Sequence, residues 1–315
     1  MLSIATRTLC WTLEKKPLVR RLRPANTPPS TVMDALDLVT NIRGLGWNWS
    51  CGLSVPRETR PTNRIAFGFY TLFSALVDAL ICSILHQTIR TFTAGATSNP
   101  DGFSVFDDTL PFPVRYLRAG IITALVGVVA HVGMRLNYEI VTVPCILIFG
   151  QDPTQWPPAF DNPWRATSLC DFWGRRWHQF FRQIFLLGSY PLNAVFGRTG
   201  GIIGAFLASA LCHHVMMVTY GSPSERWKML VGFGMMGPGV VAERAFYKTT
   251  GRKVGGILGW VWTMSWLLLF GSVLAEGFVR GGMFAASTHK IPGLAPLQMF
   301  VKNLVVGFDA WLHTM

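Results

Sequence analysis

The sequence predicts an all-α polytopic membrane protein, with about eight transmembrane or re-entrant helices around an internal chamber. Three observations predict it. Half of the 315 residues are apolar and only 14% are charged, where a soluble chain carries about 25%. The apolar residues come in long runs rather than in the short alternating pattern of sheets. The charge left over, +12 net, lies mainly between those runs. In a soluble chain such an excess would suggest nucleic acid. Here anionic headgroups, an anionic substrate and the positive-inside bias account for it better, and no nucleic-acid partner is expected.

Residues 1–64 form a basic cytosolic or interfacial segment, with ten Lys or Arg against four acids. Pro24, Pro28 and Pro29 prevent a long helix. The stretch ALDLVTNIRGLGWNWS (35–50) is amphipathic, and Trp47 and Trp49 beside Arg43 suit a headgroup-level anchor, with a soluble subdomain as the alternative. Arg7, Glu14, Lys15 and Lys16 surround a short apolar patch, so no signal peptide is expected.

From Phe67 to Ile89 runs a span long enough to cross a ~30 Å core, interrupted by Asp78 and His86. Asp101, Asp107 and Asp108 mark an acidic loop at 93–115, followed by a second span at 117–134. A shorter run at 140–149 reads as re-entrant. Further apolar runs occupy 183–197, 200–220, 229–246, 254–275 and 297–313. Charge then puts the N-terminal segment, the loop before residue 183 and the basic KTTGRK (248–253) in the cytosol, and the acidic loop in the lumen. The six cysteines, Cys10, Cys51, Cys82, Cys145, Cys170 and Cys212, show no metal-ligand spacing and read as small hydrophobes.

Two features carry chemistry. In FLASALCHHVMMVTYG (206–221), His213 and His214 lie in the middle of an apolar helix. Neighbours on a helix point about 100° apart, so one of the pair lines a chamber while the other packs against a neighbouring helix. A neutral imidazole in apolar surroundings can accept a hydroxyl proton without a metal or lysine. Two satisfied core histidines would look the same. The second feature is SLCDFWGRRWHQFF (168–181). As a helix, it would stack Trp173, Trp177 and Phe181 at i, i+4, i+8 and send Arg175, Arg176 and Arg182 to other faces. That describes either an interfacial helix or the cytosolic mouth of an active site. In the second case Arg175 and Arg176 hold the phosphates of a nucleotide-like acyl carrier and His178 points toward the chamber. No H-x-x-x-D, D-D-x-x-D, H-E-x-x-H or G-x-x-x-x-G-K-[ST] pattern occurs, so no metal or bound cofactor is expected.

These motifs resemble a known group. QWPPAFDNPWRATSLCDFWGRRWHQFFRQIF (155–185) is similar to the signature of wax synthase-like proteins of the membrane-bound O-acyltransferase superfamily. FLASALCH (206–213) resembles its F-L-x-S-G-x-x-H element with Ala210 for glycine, and NIRGLGWNW (41–49) an upstream element of fungal members. Relatives usually carry one or more further spans ahead of that element, for which this sequence leaves little room. The resemblance implies a wax synthase-like acyltransferase domain over 65–315. It implies transfer of an acyl group from acyl-CoA to a lipophilic alcohol, a terpenoid with acetyl-CoA first and a fatty alcohol with long-chain acyl-CoA second. It places His213 as the intramembrane base and His178 as the second polar group. Trp173, Trp177, Arg175 and Arg176 then belong to acyl-CoA binding, with His214 and Asp171 accessory. An endoplasmic-reticulum membrane is expected. A transporter or lipid-binding scaffold would also use His, Asp78 and Glu243 within its spans, although no repeated half of the kind transporters show is present.

Overall fold

The computed structural model describes residues 8, 11–13, 15–25, 29–50, 52–93, 104–219, 226–284 and 295–315. Arg7, Cys10, Glu14, Cys51 and Asp101 lie outside them. The described residues are helical apart from loops and one isolated antiparallel bridge between Arg20 and Trp47. The helices are α1 (Thr31–Thr40), α2 (Arg64–Thr93), α3 (Phe112–Leu147), α4 (Arg182–Thr219), α5 (Arg226–Gly234), α6 (Met236–Thr250), α7 (Gly256–Arg280) and α8 (Ala295–Leu312). Among the described residues four of these, α2, α3, α4 and α7, are long and apolar enough to cross a membrane, where the sequence suggested about eight segments.

Part of that difference lies in α3. The expected break between 117–134 and 140–149 does not occur, and one helix of 36 residues runs through both. The polar stretch between the two runs, 135–139, belongs to the helix. Glu139 is buried and accepts a hydrogen bond from Ser74 Oγ at 2.8 Å, so the helix continues past it at little cost. The helix ends only after Pro144, at Leu147, and Gly150 follows with a φ of +68° that favours glycine.

The opposite holds for α4. Its backbone leaves helical geometry at Gly197 (φ 60°, ψ −158°). A methyl group at Gly188 would sit 2.5 Å from Ala208 Cβ and 2.6 Å from Gly204 O. Sixteen residues along a straight helix would separate these positions by about 24 Å. The two arms, 182–196 and 198–219, therefore fold back on each other about Gly197. Gly188, Gly200 and Gly204 bring the backbones together where a side chain would hold them apart. The expected runs 183–197 and 200–220 are these two arms.

The chain forms two compact units. The first comprises 1–76, 135–208 and 240–263. Within it Arg23 and Arg20 both bind Asp34, Arg23 through a fork at 2.5 and 2.6 Å. The Arg23 hydrogen bonds hold the Asp34 carboxyl below its ordinary range against a smaller opposing effect of burial. A depressed carboxylate stabilises the fold above its ordinary titration range and loses that stabilisation as pH falls through its folded value. Asp34→Asn should therefore lower the melting temperature at pH 7, by less than about 1 kcal/mol because the pair is partly exposed, and the difference from wild type should shrink as pH falls through the acidic range.

The second unit comprises 77–134, 209–239 and 264–315. Its core gathers Ile89, Phe92, Val105, Ile122, Ala275 and Phe284. Arg118, fully buried, binds Asp309 at 2.7 Å and the carbonyls of Phe92 and Val105. Glu276 accepts from Val105 N at 2.7 Å and from Arg280 Nε at 2.5 Å. Both groups are satisfied parts of the core.

Candidate active site

The first unit carries the sequence motif, and the local chain explains its shape. Ser168 caps a one-turn helix, Leu169–Asp171, accepting from Asp171 N at 2.9 Å. The chain then widens into a π-turn, Phe172–Arg176, closed by Trp177 N–H on Phe172 O at 2.8 Å. Trp177 itself is extended, with ψ 155°. The continuous helix expected over 173–181 is thus absent, because Gln179 fastens the exit. Its Nε2 donates to Gly174 O at 2.9 Å and its Oε1 accepts from Ser54 N at 3.1 Å.

The arginines do not spread to other faces as a straight helix would send them. Arg175 Nε binds Asp171 Oδ1 at 2.9 Å and Arg176 Nε binds Oδ2 at 2.5 Å. Arg176 also donates to the carbonyl of Asp161 at 2.9 Å and is largely covered, whereas half of the Arg175 side chain is exposed. Asp171, expected as an accessory, is the anchor of both.

The aromatic residues close a box around His178. Its ring stacks on Phe180 at 5.2 Å and meets Phe160, Phe181 and Trp177 at 5.9, 5.7 and 5.8 Å. Trp173 and Trp177 remain neighbours at 6.1 Å, and Trp173 packs on Phe206.

Beneath the box lies Arg43, from the upstream NIRG element. Its guanidinium donates to Pro157 O, Pro158 O and Tyr138 Oη at 2.5, 2.8 and 2.7 Å, and sits 5.9 Å from the Phe180 ring. One buried cation thus ties the NIRG element to the W-P-P turn, which the order of the motifs could not reveal. Trp47 is no headgroup anchor. It is buried, and its indole N–H donates to Asp37 Oδ2 at 2.6 Å. Asp37 takes a second bond from Gln155 at 2.7 Å.

In the second unit, His213 lies on the second arm of α4, six residues before Thr219 rather than at mid-helix. Its Nδ1 is 2.8 Å from Ser209 O and its ring stacks on Phe233 at 3.9 Å. A carbonyl oxygen only accepts, so Nδ1 carries the proton and Nε2 of the neutral ring holds the lone pair. His214, next in the chain, is half-buried.

Sequence comparison matches residues 156–234 to the family described as "Membrane bound O-acyl transferase family". The acetyltransferase sirH of Emericella nidulans is 31% identical over 142 residues, which cover 40% of this chain and 33% of that protein. The acetyltransferase ple2 of Rhodocybe pseudopiperita is 25% identical over 250 residues, 73% of this chain and 62% of its own length. The long-chain-alcohol O-fatty-acyltransferase of Simmondsia chinensis is 32% identical over 106 residues, 31% of this chain and 30% of that protein. The chain thus spans between about a third and three-fifths of these relatives. The resemblance carried by W-P-P-x-F, D-F-W-G-R-R-W-H and the downstream histidine is borne out: residues 156–234, which hold all three, match the membrane-bound O-acyltransferase family, and the relatives include fungal acetyltransferases and a plant long-chain-alcohol O-fatty-acyltransferase.

Proposed function

We propose that the protein transfers an acyl group, acetyl in the first instance, from acyl-CoA to a lipophilic alcohol of terpenoid type. The names of its fungal relatives support acetyl transfer. The observation that carries the chemistry is the state of His213. With Nδ1–H held by Ser209 O, Nε2 is available to take the proton of an acceptor hydroxyl. As the oxygen attacks the thioester carbonyl, the C–S bond breaks and CoA leaves as thiolate, which takes up the proton from His213. The resemblance to the family gives His178 as the second polar group of the reaction.

Both arginines bind Asp171, and Arg175 is the better candidate for the phosphates of the donor, since half its side chain is exposed while Arg176 is largely covered and also held by the Asp161 carbonyl. The acceptor would enter from the bilayer, with the motif facing the cytosol and the protein in the endoplasmic reticulum. The plant relatives named as long-chain-alcohol acyltransferases support a second reading, a fatty alcohol with a long-chain acyl donor.

The test is incubation of membranes bearing the protein with labelled acetyl-CoA or long-chain acyl-CoA and a panel of terpenoid and fatty alcohols. Ester formation is expected, and movement of the alcohol without esterification would refute the reading. Arg175→Ala should raise the Michaelis constant for acyl-CoA by about tenfold, at about 1.4 kcal/mol for a lost charge-assisted contact, and leave that for the alcohol unchanged.

A further inference from the structure

Glu243, on α6, lies outside the segment that matches the family and was assigned no part in the chemistry above. In the structure it is buried and its carboxylate reaches back to the motif. Oε1 accepts from Leu169 N at 2.6 Å and from Trp262 Nε1 at 3.0 Å, and Oε2 accepts from Cys170 N at 3.0 Å. Leu169 and Cys170 are the first residues of the one-turn helix, and their N–H groups have no partner within so short a helix. The Ser168 cap then supplies Asp171 N, so the three amides of that turn are held by Glu243 and one hydroxyl.

We propose that Glu243 is a positioning residue that fixes the base of the D-F-W-G-R-R-W-H turn and thereby sets where its arginines and His178 stand. The chain of contacts is continuous. Glu243 fixes Leu169 and Cys170, and the turn they begin sets the direction of Asp171. Asp171 gathers Arg175 and Arg176, and the π-turn that follows delivers Trp177 and His178 to the aromatic box. A carboxylate suits this task better than an amide, because both its oxygens accept and its charge complements the N-terminal end of a helical turn. Cys170 offers a local reporter. Its side chain is exposed, and partial desolvation by the surrounding chain first, and the Glu243 charge second, raise its thiol above the ordinary range.

The inference rests on the acyl-transfer reading only for its kinetic arm, and the experiment separates the two. The full-length chain is prepared in membranes with Cys170 as its single cysteine, as wild type at 243 and as Glu243→Ala and Glu243→Gln. The rate of alkylation by N-ethylmaleimide is measured, with folding checked by gel filtration in detergent. Loss of the carboxylate should speed alkylation several-fold, with Glu243→Gln, which keeps one accepting oxygen, in between. With all native cysteines restored, Glu243→Ala should raise the Michaelis constant for the acyl donor and not that for the alcohol, and Glu243→Gln should recover part of the loss. Should Glu243→Ala fail to fold, Glu243→Gln carries both measurements. Unchanged alkylation in a folded variant overturns the proposal whatever the activity. Faster alkylation with both Michaelis constants unchanged confines Glu243 to local structure and also overturns it. Faster alkylation in a chain whose wild type forms no ester supports the hold on the motif and removes the acyl-transfer reading instead.

Discussion

His213→Ala should lower turnover in membranes by about 10²–10⁴-fold, the usual contribution of a positioned general base. The expectation follows from the Ser209 carbonyl, which fixes the proton on Nδ1 and leaves Nε2 basic. Alanine removes the lone pair and also the ring that stacks on Phe233 at 3.9 Å, so folded protein must be quantified alongside. His213→Gln serves as the second variant, since it retains bulk and polarity but accepts no proton near neutral pH. Turnover within a few-fold of wild type in either folded variant would exclude His213 as the base. His214→Ala in parallel should have the smaller effect, because the helix directs that side chain about 100° away.

Arg43→Ala should have the largest effect on stability. The carbonyls of Pro157 and Pro158 and the Tyr138 hydroxyl all lose the guanidinium at once in a buried setting, and only Pro157 O keeps a second donor, the Tyr138 hydroxyl at 3.0 Å. An unsatisfied buried acceptor costs about 1–3 kcal/mol, so even with partial relaxation a loss of several kcal/mol is expected. Lysine should not rescue it, because a single ammonium cannot reproduce the planar fork that spans two adjacent carbonyls. The measurement is the thermal midpoint in detergent for Arg43→Ala and Arg43→Lys beside wild type. A midpoint within a degree or two would show that the W-P-P turn holds itself. If the midpoint falls while the residual folded fraction keeps its Michaelis constants, Arg43 supports the turn without shaping the site.

The helices were legible because lipid-facing segments announce themselves by composition alone, and α2 and α7 lie close to where the apolar runs place them. The errors came where a polar residue had a partner inside the fold that the local pattern did not show. The expected break in α3 falls at 135–139, where Glu139 Oε1 takes a hydrogen bond from Ser74, 65 positions away. Trp47 suggested a membrane anchor, and a buried Asp37 receives it. The motif was legible as residue types but not as shape. Aromatic residues at 173, 177 and 181 keep a helical period, yet the bond from Trp177 to Phe172 and the two Gln179 contacts turn the chain out of the helix. Arg43 and Glu243 were visible as charges near apolar sequence. Most of their partners are backbone atoms, which no side-chain pattern encodes.

The fold-back at Gly197 has a bearing on how the chain enters its membrane. The first arm, 15 residues from 182 to 196, measures only about 22 Å, short of a ~30 Å hydrocarbon layer. It is poorly suited to remain there as a solitary stem, so the paired arms are better delivered to lipid as one preassembled wedge. The close approach of Gly188 and Gly204 then couples insertion of the first arm to synthesis of the second.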